Sequence, residues 1–154
     1  EELLMVGLGV LLYHHERRVV APSLLRDYIA HCLRAFPANA MLFDSLIQLE
    51  EKHGMPLRVR EAFDIMWQVP VGSDPTTPGP PPGVVLLMAA FEIRRGTPTR
   101  ACAVLERALQ RRETRQSAVL WRSYMDALCE DGRPDAAKRA FYRGISACPW
   151  SKGL

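Results

Sequence analysis

The chain has 154 residues, of which 48% are hydrophobic, enough for one compact domain or one segment of a longer helical array with a continuous core. Its formal net charge of +3 is small for a polybasic nucleic-acid binder. The apolar run over residues 3–12 is too short to cross a bilayer, and it lacks the basic leader and cleavage site of a signal peptide.

The first half of the chain predicts four helices, over residues 2–16, 22–36, 40–53 and about 56–69. Apolar residues recur three and four positions apart, as in Leu42, Leu46 and Leu49 of the third helix, which is the period of an amphipathic helix. Because the sequence opens on Glu1, we expect a segment of a longer chain. Its mostly apolar first helix is then expected to be buried at an edge, with Gly7 and Gly9 admitting a close neighbour.

Residues 70–83, with the sequence PVGSDPTTPGPPPG, hold six of the twelve prolines and three glycines. Proline removes a backbone donor and clashes with the preceding helical turn, so no helix is expected there. We predict a flexible, exposed linker. A ligand for a proline-recognising module of the SH3 or WW type is the alternative interpretation.

The second half predicts four more helices, over residues 84–95, 98 to about 114, 118–131 and 134–148. No stretch shows the β-branched alternation of a strand, so the fold class is all-α. The helices group into about four antiparallel pairs, over residues 2–37, 40–69, 84–114 and 118–149.

These pairs repeat one pattern when they are aligned on the glycines that end their first helices. The glycines are Gly54, Gly96 and Gly132, spaced by 42 and then 36 residues, and the proline-rich segment accounts for the difference. The positions with a shared role are Phe43, Leu46, Phe63, Met88, Ala101, Leu105, Trp121, Tyr124, Ala137 and Phe141. A period of this size with two helices per repeat predicts an α-solenoid.

Trp121 and Tyr124 on one helix, followed by an A-K-R-A-F-Y-R-G-I run and then a proline, resemble the half-a-tetratricopeptide (HAT) repeat, which is TPR-like. The endings Leu49–Gly54 and Phe91–Gly96 are similar to that repeat's first-helix ending. HAT repeats are typical of RNA-processing proteins, so the resemblance implies a scaffold of that kind, and HAT arrays often dimerise.

The last 35 or so residues, ending in Cys148-Pro149-Trp150-Ser151-Lys152, resemble the C-terminal HAT region of the nuclear-RNAi-defective-2 family. That resemblance implies a nuclear protein linked to RNA interference in some organisms. In mammals it implies binding to the exosome-linked RNA helicase and restraint of nuclear RNA decay. The family's helicase contact is ascribed to a region upstream of its HAT array, so the parent chain would supply it.

This sequence departs from the HAT pattern at several positions. Only the third repeat keeps both the first-helix acid and the second-helix base, as Glu92 and Arg107. Ile65 stands at the second-helix position in one repeat, and Leu128 at the first-helix position in another. We predict an ion pair between Glu92 and Arg107, and we expect Arg143, which lacks that partner, to face a neighbouring repeat or a partner protein.

No residue pattern of a catalytic, cofactor or metal site is present. None of the four histidines belongs to an H-E-x-x-H motif, and no C-x-x-C motif is present. No Walker A, G-x-S-x-G or G-x-G-x-x-G motif occurs either. The four cysteines, Cys32, Cys102, Cys129 and Cys148, are expected to be buried single thiols in helices. The sequence therefore predicts a protein that is not an enzyme and that carries no cofactor.

The strongest functional signal is a cluster of arginines over residues 94–122. Eight arginines stand there against Glu106 and Glu113, a net charge of +6. The candidate partner-binding residues are Arg94, Arg95, Arg100, Arg107, Arg111, Arg112 and Arg115. Arg100, Arg107 and Arg111 are expected near one helical face, where their forks suit carboxylate or phosphate.

Several interpretations of the cluster stay open at this point. It is a solvated helix flank, a site for an acidic protein, or a site for RNA, and no interleaved aromatic residues support RNA. The sequence predicts a non-catalytic nuclear scaffold that binds proteins of the RNA-processing or decay machinery, or a second copy of itself. Direct RNA binding, or a regulatory helical domain of a larger enzyme, is the alternative.

Overall fold

A computed structural model describes residues 2–68 and 79–151 of the chain. These residues form nine helices and no strand, so the all-α prediction is confirmed for them. The helices are α1 Glu2–Glu16, α2 Pro22–Ala35, α3 Ala40–His53, α4 Pro56–Gln68, α5 Pro82–Arg94, α6 Pro98–Leu109, α7 Arg112–Arg115, α8 Ala118–Glu130 and α9 Pro134–Ala147. The chain divides into two compact units, Glu1–Val69 and Pro70–Leu154, called unit 1 and unit 2 below.

Proline and glycine set most of the helix boundaries. Five helices begin with a proline, where the fixed φ suits the first turn and the missing N–H costs no hydrogen bond. The left-handed φ of 68°, 70° and 71° at Gly54, Gly96 and Gly132 reverses the chain after α3, α5 and α8. The amide that follows each glycine donates to the carbonyl five residues before that amide, in the bonds Met55 to Glu50, Thr97 to Glu92 and Arg133 to Leu128. The three aligned turns therefore share one geometry.

In unit 1, α1 contacts α2, α2 contacts α3 and α3 contacts α4. The core lies mainly between α2 and α3, where Ile29, Phe43 and Ile47 are fully buried. In unit 2, α5 contacts α6, α6 contacts both α7 and α8, and α8 contacts α9. These consecutive contacts are compatible with a helical solenoid.

Nine of the ten residues assigned to the repeat pattern are buried, and Phe141 is half-buried. Trp121 is the largest fully buried side chain of the described residues. Its ring lies against Gly144, where an added Cβ would stand 3.3 Å from Cγ of the indole. A small residue at position 144 thus lets α9 approach α8 closely.

Three sequence-based expectations need correction. Helix α6 ends at Leu109 rather than near Thr114, and α7 forms separately, because the Thr114 hydroxyl donates to the Ala108 carbonyl and turns the chain. Pro82 and Gly83, placed in the linker, form the first turn of α5. The rest of the predicted linker, residues 70–78, lies outside the described residues.

The first helix is not buried as expected. Only Leu8 of α1 is fully buried, while Leu3 and Val6 are 87% and 64% exposed. Gly7 does admit a neighbour: the Tyr28 hydroxyl lies over it and donates to the Leu4 carbonyl at 3.0 Å. The neighbouring helices therefore cover Leu8 completely and leave Leu3 and Val6 largely exposed.

The four cysteines, all within the described residues, divide into three that are buried and one that is exposed, Cys129. Burial raises the pKa of the Cys102 and Cys148 thiols, so less of each is thiolate at a given pH, and Cys32 is inaccessible. We expect a disulfide reagent at pH 8 to modify Cys129 rapidly and the others only after unfolding. Mass spectrometry of the native and denatured protein checks this, and Cys129→Ser should remove the rapid reaction.

Candidate partner-binding surface

The arginine cluster lies on α5, α6 and α7 of unit 2 and on the connection between α6 and α7. Arg94 and Arg95 stand at the end of α5, Arg100 and Arg107 on α6, and Arg112 and Arg115 on α7. All six of these side chains are exposed. Arg100 and Arg107 are seven residues apart, close to two helical turns, so they share a face of α6 about 10 Å apart along its axis.

Arg111 does not share that face, contrary to the sequence-based expectation. Because α6 ends at Leu109, Arg111 lies in the connection with extended backbone angles, φ −84° and ψ 143°. Its guanidinium packs against the backbone of Gly79 and pairs with Glu113, with Nε 3.8 Å from Oε2. Arg111 is half-buried and holds the segment before α5.

Both acidic residues of the stretch are engaged by arginines. Glu113 pairs with Arg111, and Glu106 on α6 pairs with Arg143 on α9, with Oε1 and Nη1 3.7 Å apart. Arg143 also lies over the Trp121 ring, 5.3 Å from its centroid. The expectation that Arg143 faces a neighbouring helix pair is confirmed, since α6 and α9 belong to different predicted pairs.

Five exposed arginines have no ion-pair partner within residues 2–68 and 79–151. They are Arg95, Arg100, Arg112, Arg115 and Arg122. Unpaired guanidiniums keep their full capacity to bind a carboxylate or phosphate from another molecule. The surface they form is called the arginine surface below.

Residues 94–122 contribute no exposed aromatic side chain. The single aromatic residue of residues 94–122 is Trp121, which is 1% exposed. Its Nε1 donates to the Arg115 carbonyl at 2.8 Å, which fixes the ring inside unit 2. This stretch therefore supplies no aromatic ring of the kind on which proteins stack single-stranded nucleic acid.

The predicted pair of Glu92 and Arg107 stays a prediction. Glu92 is 1% exposed and accepts a hydrogen bond from the Thr97 hydroxyl, whereas the Arg107 side chain is exposed. A buried Glu of this kind does form an ion pair in unit 1: Glu50, also four residues before a turn glycine, accepts two hydrogen bonds from Arg26 on α2. Arg26 was not predicted as the partner of Glu50 because it comes from the preceding helix, α2, and not from the helix that follows.

Metal and membrane sites are not suggested by the described residues. They hold no group of three His, Cys, Asp or Glu side chains that could bind a metal ion. Within the same residues, no helix combines the length and the hydrophobicity needed to span a bilayer.

Similarity to known proteins extends along the whole chain. The human protein called nuclear exosome regulator NRDE2 is 24% identical over 175 aligned positions, and its mouse counterpart is 23% identical. The alignments cover all of this chain but 14% of each relative, so the chain spans about one seventh of their length. No family model matches. A distant NRDE2-like relationship is therefore indicated over the full sequence, beyond the C-terminal residues that carry the resemblance.

Proposed function

We propose that this chain is a non-catalytic scaffold segment of a nuclear regulator of RNA decay. Its helix pairs are of the HAT type and form an α-solenoid, and its arginine surface binds an acidic partner protein. The alignment of the whole chain with nuclear exosome regulators supports this role. The partner belongs to the nuclear RNA-processing or decay machinery, with the exosome-linked helicase reached through the parent chain, or is a second copy of this chain.

Five exposed arginines without an ion-pair partner in the described part of unit 2 are the observation that carries the proposal. An acidic peptide can satisfy several guanidinium forks at once, and mutual steering by opposite charges speeds association. RNA is the second candidate, since phosphate suits the same forks. Residues 94–122 offer no exposed aromatic ring on which a base could stack, and this favours protein over single-stranded RNA.

We expect the double charge reversal Arg112→Glu and Arg115→Glu to weaken capture of a nuclear partner about tenfold, because two exposed attractive contacts become repulsive. The measurement is quantitative mass spectrometry after pull-down from nuclear extract. The matched control is Lys138→Glu with Arg139→Glu on α9, which changes the net charge equally.

The same proteins distinguish the two candidates. Tight, steeply salt-dependent binding of single-stranded RNA by the chain, lost in the Arg112 and Arg115 variant, would replace the scaffold proposal by RNA binding. Equal capture by both double variants would show that the arginine surface does not bind the partner.

A further inference from the structure

Unit 1 contains a groove between α2 and α4, with α3 as its floor, called the α2–α4 groove below. Its volume is about 350 Å³, within the ~300–1,000 Å³ range of binding clefts. Its apolar lining comes from all three helices and includes Leu33, Leu46 and Met66. These three side chains keep 5–8% of their surface exposed, so they form a floor that another molecule can still contact.

Ile65 of α4 contributes a large, exposed apolar side chain to the groove. It lines the groove and is 55% exposed. The repeat alignment places it level with Arg107 and Arg143, which are both exposed. A position that carries arginine elsewhere carries a large apolar side chain here, although burial within unit 1 does not require one. Ala62, three residues earlier on α4, also lines the groove.

The charges around the groove favour an acidic ligand. Both carboxylate oxygens of Glu50, which is fully buried, accept hydrogen bonds from Arg26, so this acid is neutralised within unit 1. At the rim, Arg34 and Arg58 are exposed and form no ion pair with the described residues. Glu61 is the exposed acid among the lining residues. The rim therefore offers two guanidiniums and one carboxylate.

We propose that the α2–α4 groove binds an amphipathic helix of a partner protein, one whose stripe of bulky apolar residues is flanked by Asp and Glu. The apolar lining that α2, α3 and α4 contribute suits the apolar anchors that a partner helix presents along one face. The helices of unit 1 offer no unpaired sheet edge for strand addition. Acidic flanks would meet Arg34 and Arg58, and the apolar anchors would cover Ile65.

This inference rests on the proposed scaffold function but uses a different unit and different residues. The probe is a pair of synthetic helical peptides of about 16 residues with the same leucine stripe, one flanked by Glu and the other by Lys. We expect the Glu-flanked peptide to bind the 154-residue chain at least about tenfold more tightly, with a dissociation constant below about 100 µM by fluorescence anisotropy.

Ile65→Arg is the decisive variant, because the aligned positions in α6 and α9 already carry arginine and the fold should tolerate it. It is expected to weaken the Glu-flanked peptide at least about tenfold. The matched control is Val119→Arg in unit 2, an exposed apolar residue outside the groove, which should leave the affinity unchanged. Circular dichroism melting of both variants verifies that they fold.

Several results would overturn the proposal: no binding of either peptide, equal binding of both, or equal effects of Ile65→Arg and Val119→Arg. Displacement of the peptide by a single-stranded oligonucleotide would assign the groove to nucleic acid and overturn it as well. The two proposals fail separately. Loss of nuclear capture in the Arg112 and Arg115 variant with no peptide binding would leave the scaffold role standing without this groove.

Discussion

Trp121→Ala is expected to lower the free energy of unfolding of unit 2 by about 4 kcal/mol, the largest effect of any single truncation in the chain. The indole is 1% exposed and packs against Gly144 of α9 and the ring of Tyr124. Removing it leaves a cavity between α8 and α9 and also deprives the Arg115 carbonyl of its donor, Nε1. Arg143 loses the ring over which its guanidinium lies.

The measurement combines urea denaturation, followed by far-ultraviolet circular dichroism, with hydrogen exchange resolved to α8 and α9. Trp121→Phe keeps most of the volume and removes the donor, so it should cost less than half as much as the alanine. Trp150→Ala is the matched control, because that ring is 67% exposed, and it should stay within about 0.5 kcal/mol of the parent. Similar losses for Trp121→Ala and Trp150→Ala would contradict this account of the core.

Helix boundaries were predictable from the sequence wherever proline or glycine sets them. Pro98 starts α6 and Gly132 follows α8 for steric reasons that act within a few residues, so no tertiary information is needed. The break between α6 and α7 has no such signal. It depends on the hydrogen bond from Thr114 to the Ala108 carbonyl, and the six residues from Leu109 to Thr114 contain neither proline nor glycine.

Burial was less predictable than helicity. Leu3 and Val6 are as apolar as Leu8, yet only Leu8 is buried. Cys129 was expected inside for the same compositional reason and is exposed. The hydrophobicity of a residue indicates whether burial would be favourable. Whether the residue is actually buried depends on which neighbouring helix packs against it.

Some features of the candidate site could likewise be predicted from the sequence, and others could not. The positive charge of residues 94–122 was visible in the sequence, because charge is a property of the residues themselves. Contacts between helices determine which arginines remain unpaired. An example is the ion pair of Arg143 with Glu106, two residues that are 37 positions apart in the sequence. The α2–α4 groove left no sequence signal except the isoleucine that replaces arginine at position 65.

The buried ion pair of unit 1 gives the second large expected effect. Arg26→Met should destabilise unit 1 by about 3 kcal/mol, because Glu50 stays fully buried without its counter-charge. Nε of Arg26 lies 2.5 Å from Oε1 of Glu50, and Nη2 lies 3.2 Å from Oε2, so both carboxylate oxygens lose their donors. The hydrogen bonds with Glu50 raise the pKa of Arg26. Thermal and urea unfolding followed by hydrogen exchange in α2 and α3 measures the loss.

Replacing both Arg26 and Glu50 by apolar residues should recover most of the stability that Arg26→Met alone loses. Arg26→Met combined with Glu50→Leu is expected within about 1 kcal/mol of the parent, so that a double-mutant cycle gives a coupling of about 2 kcal/mol or more. Lys138→Met is the control, since its pair with Asp135 is mostly exposed at both ends and should contribute little. A loss for Arg26→Met no greater than that for Lys138→Met would show that the buried pair is not needed to hold Glu50 inside.

In unit 2, apolar residues occupy the equivalent positions on α6 and α8. Arg26 is the fifth residue of α2 and Cys102 the fifth of α6, while Glu50 and Leu128 each stand four residues before a turn glycine. Cys102 and Leu128 are 4% and 1% exposed, so the acid and the base are absent together where the helices pack around Trp121. A buried carboxylate without its counter-charge is costly, whereas two apolar residues are not, so replacing both members of the pair should cost less than replacing one. In unit 1 the retained charge pair lies in the lining of the α2–α4 groove, and an apolar replacement should keep unit 1 folded while changing how the groove binds an acidic peptide.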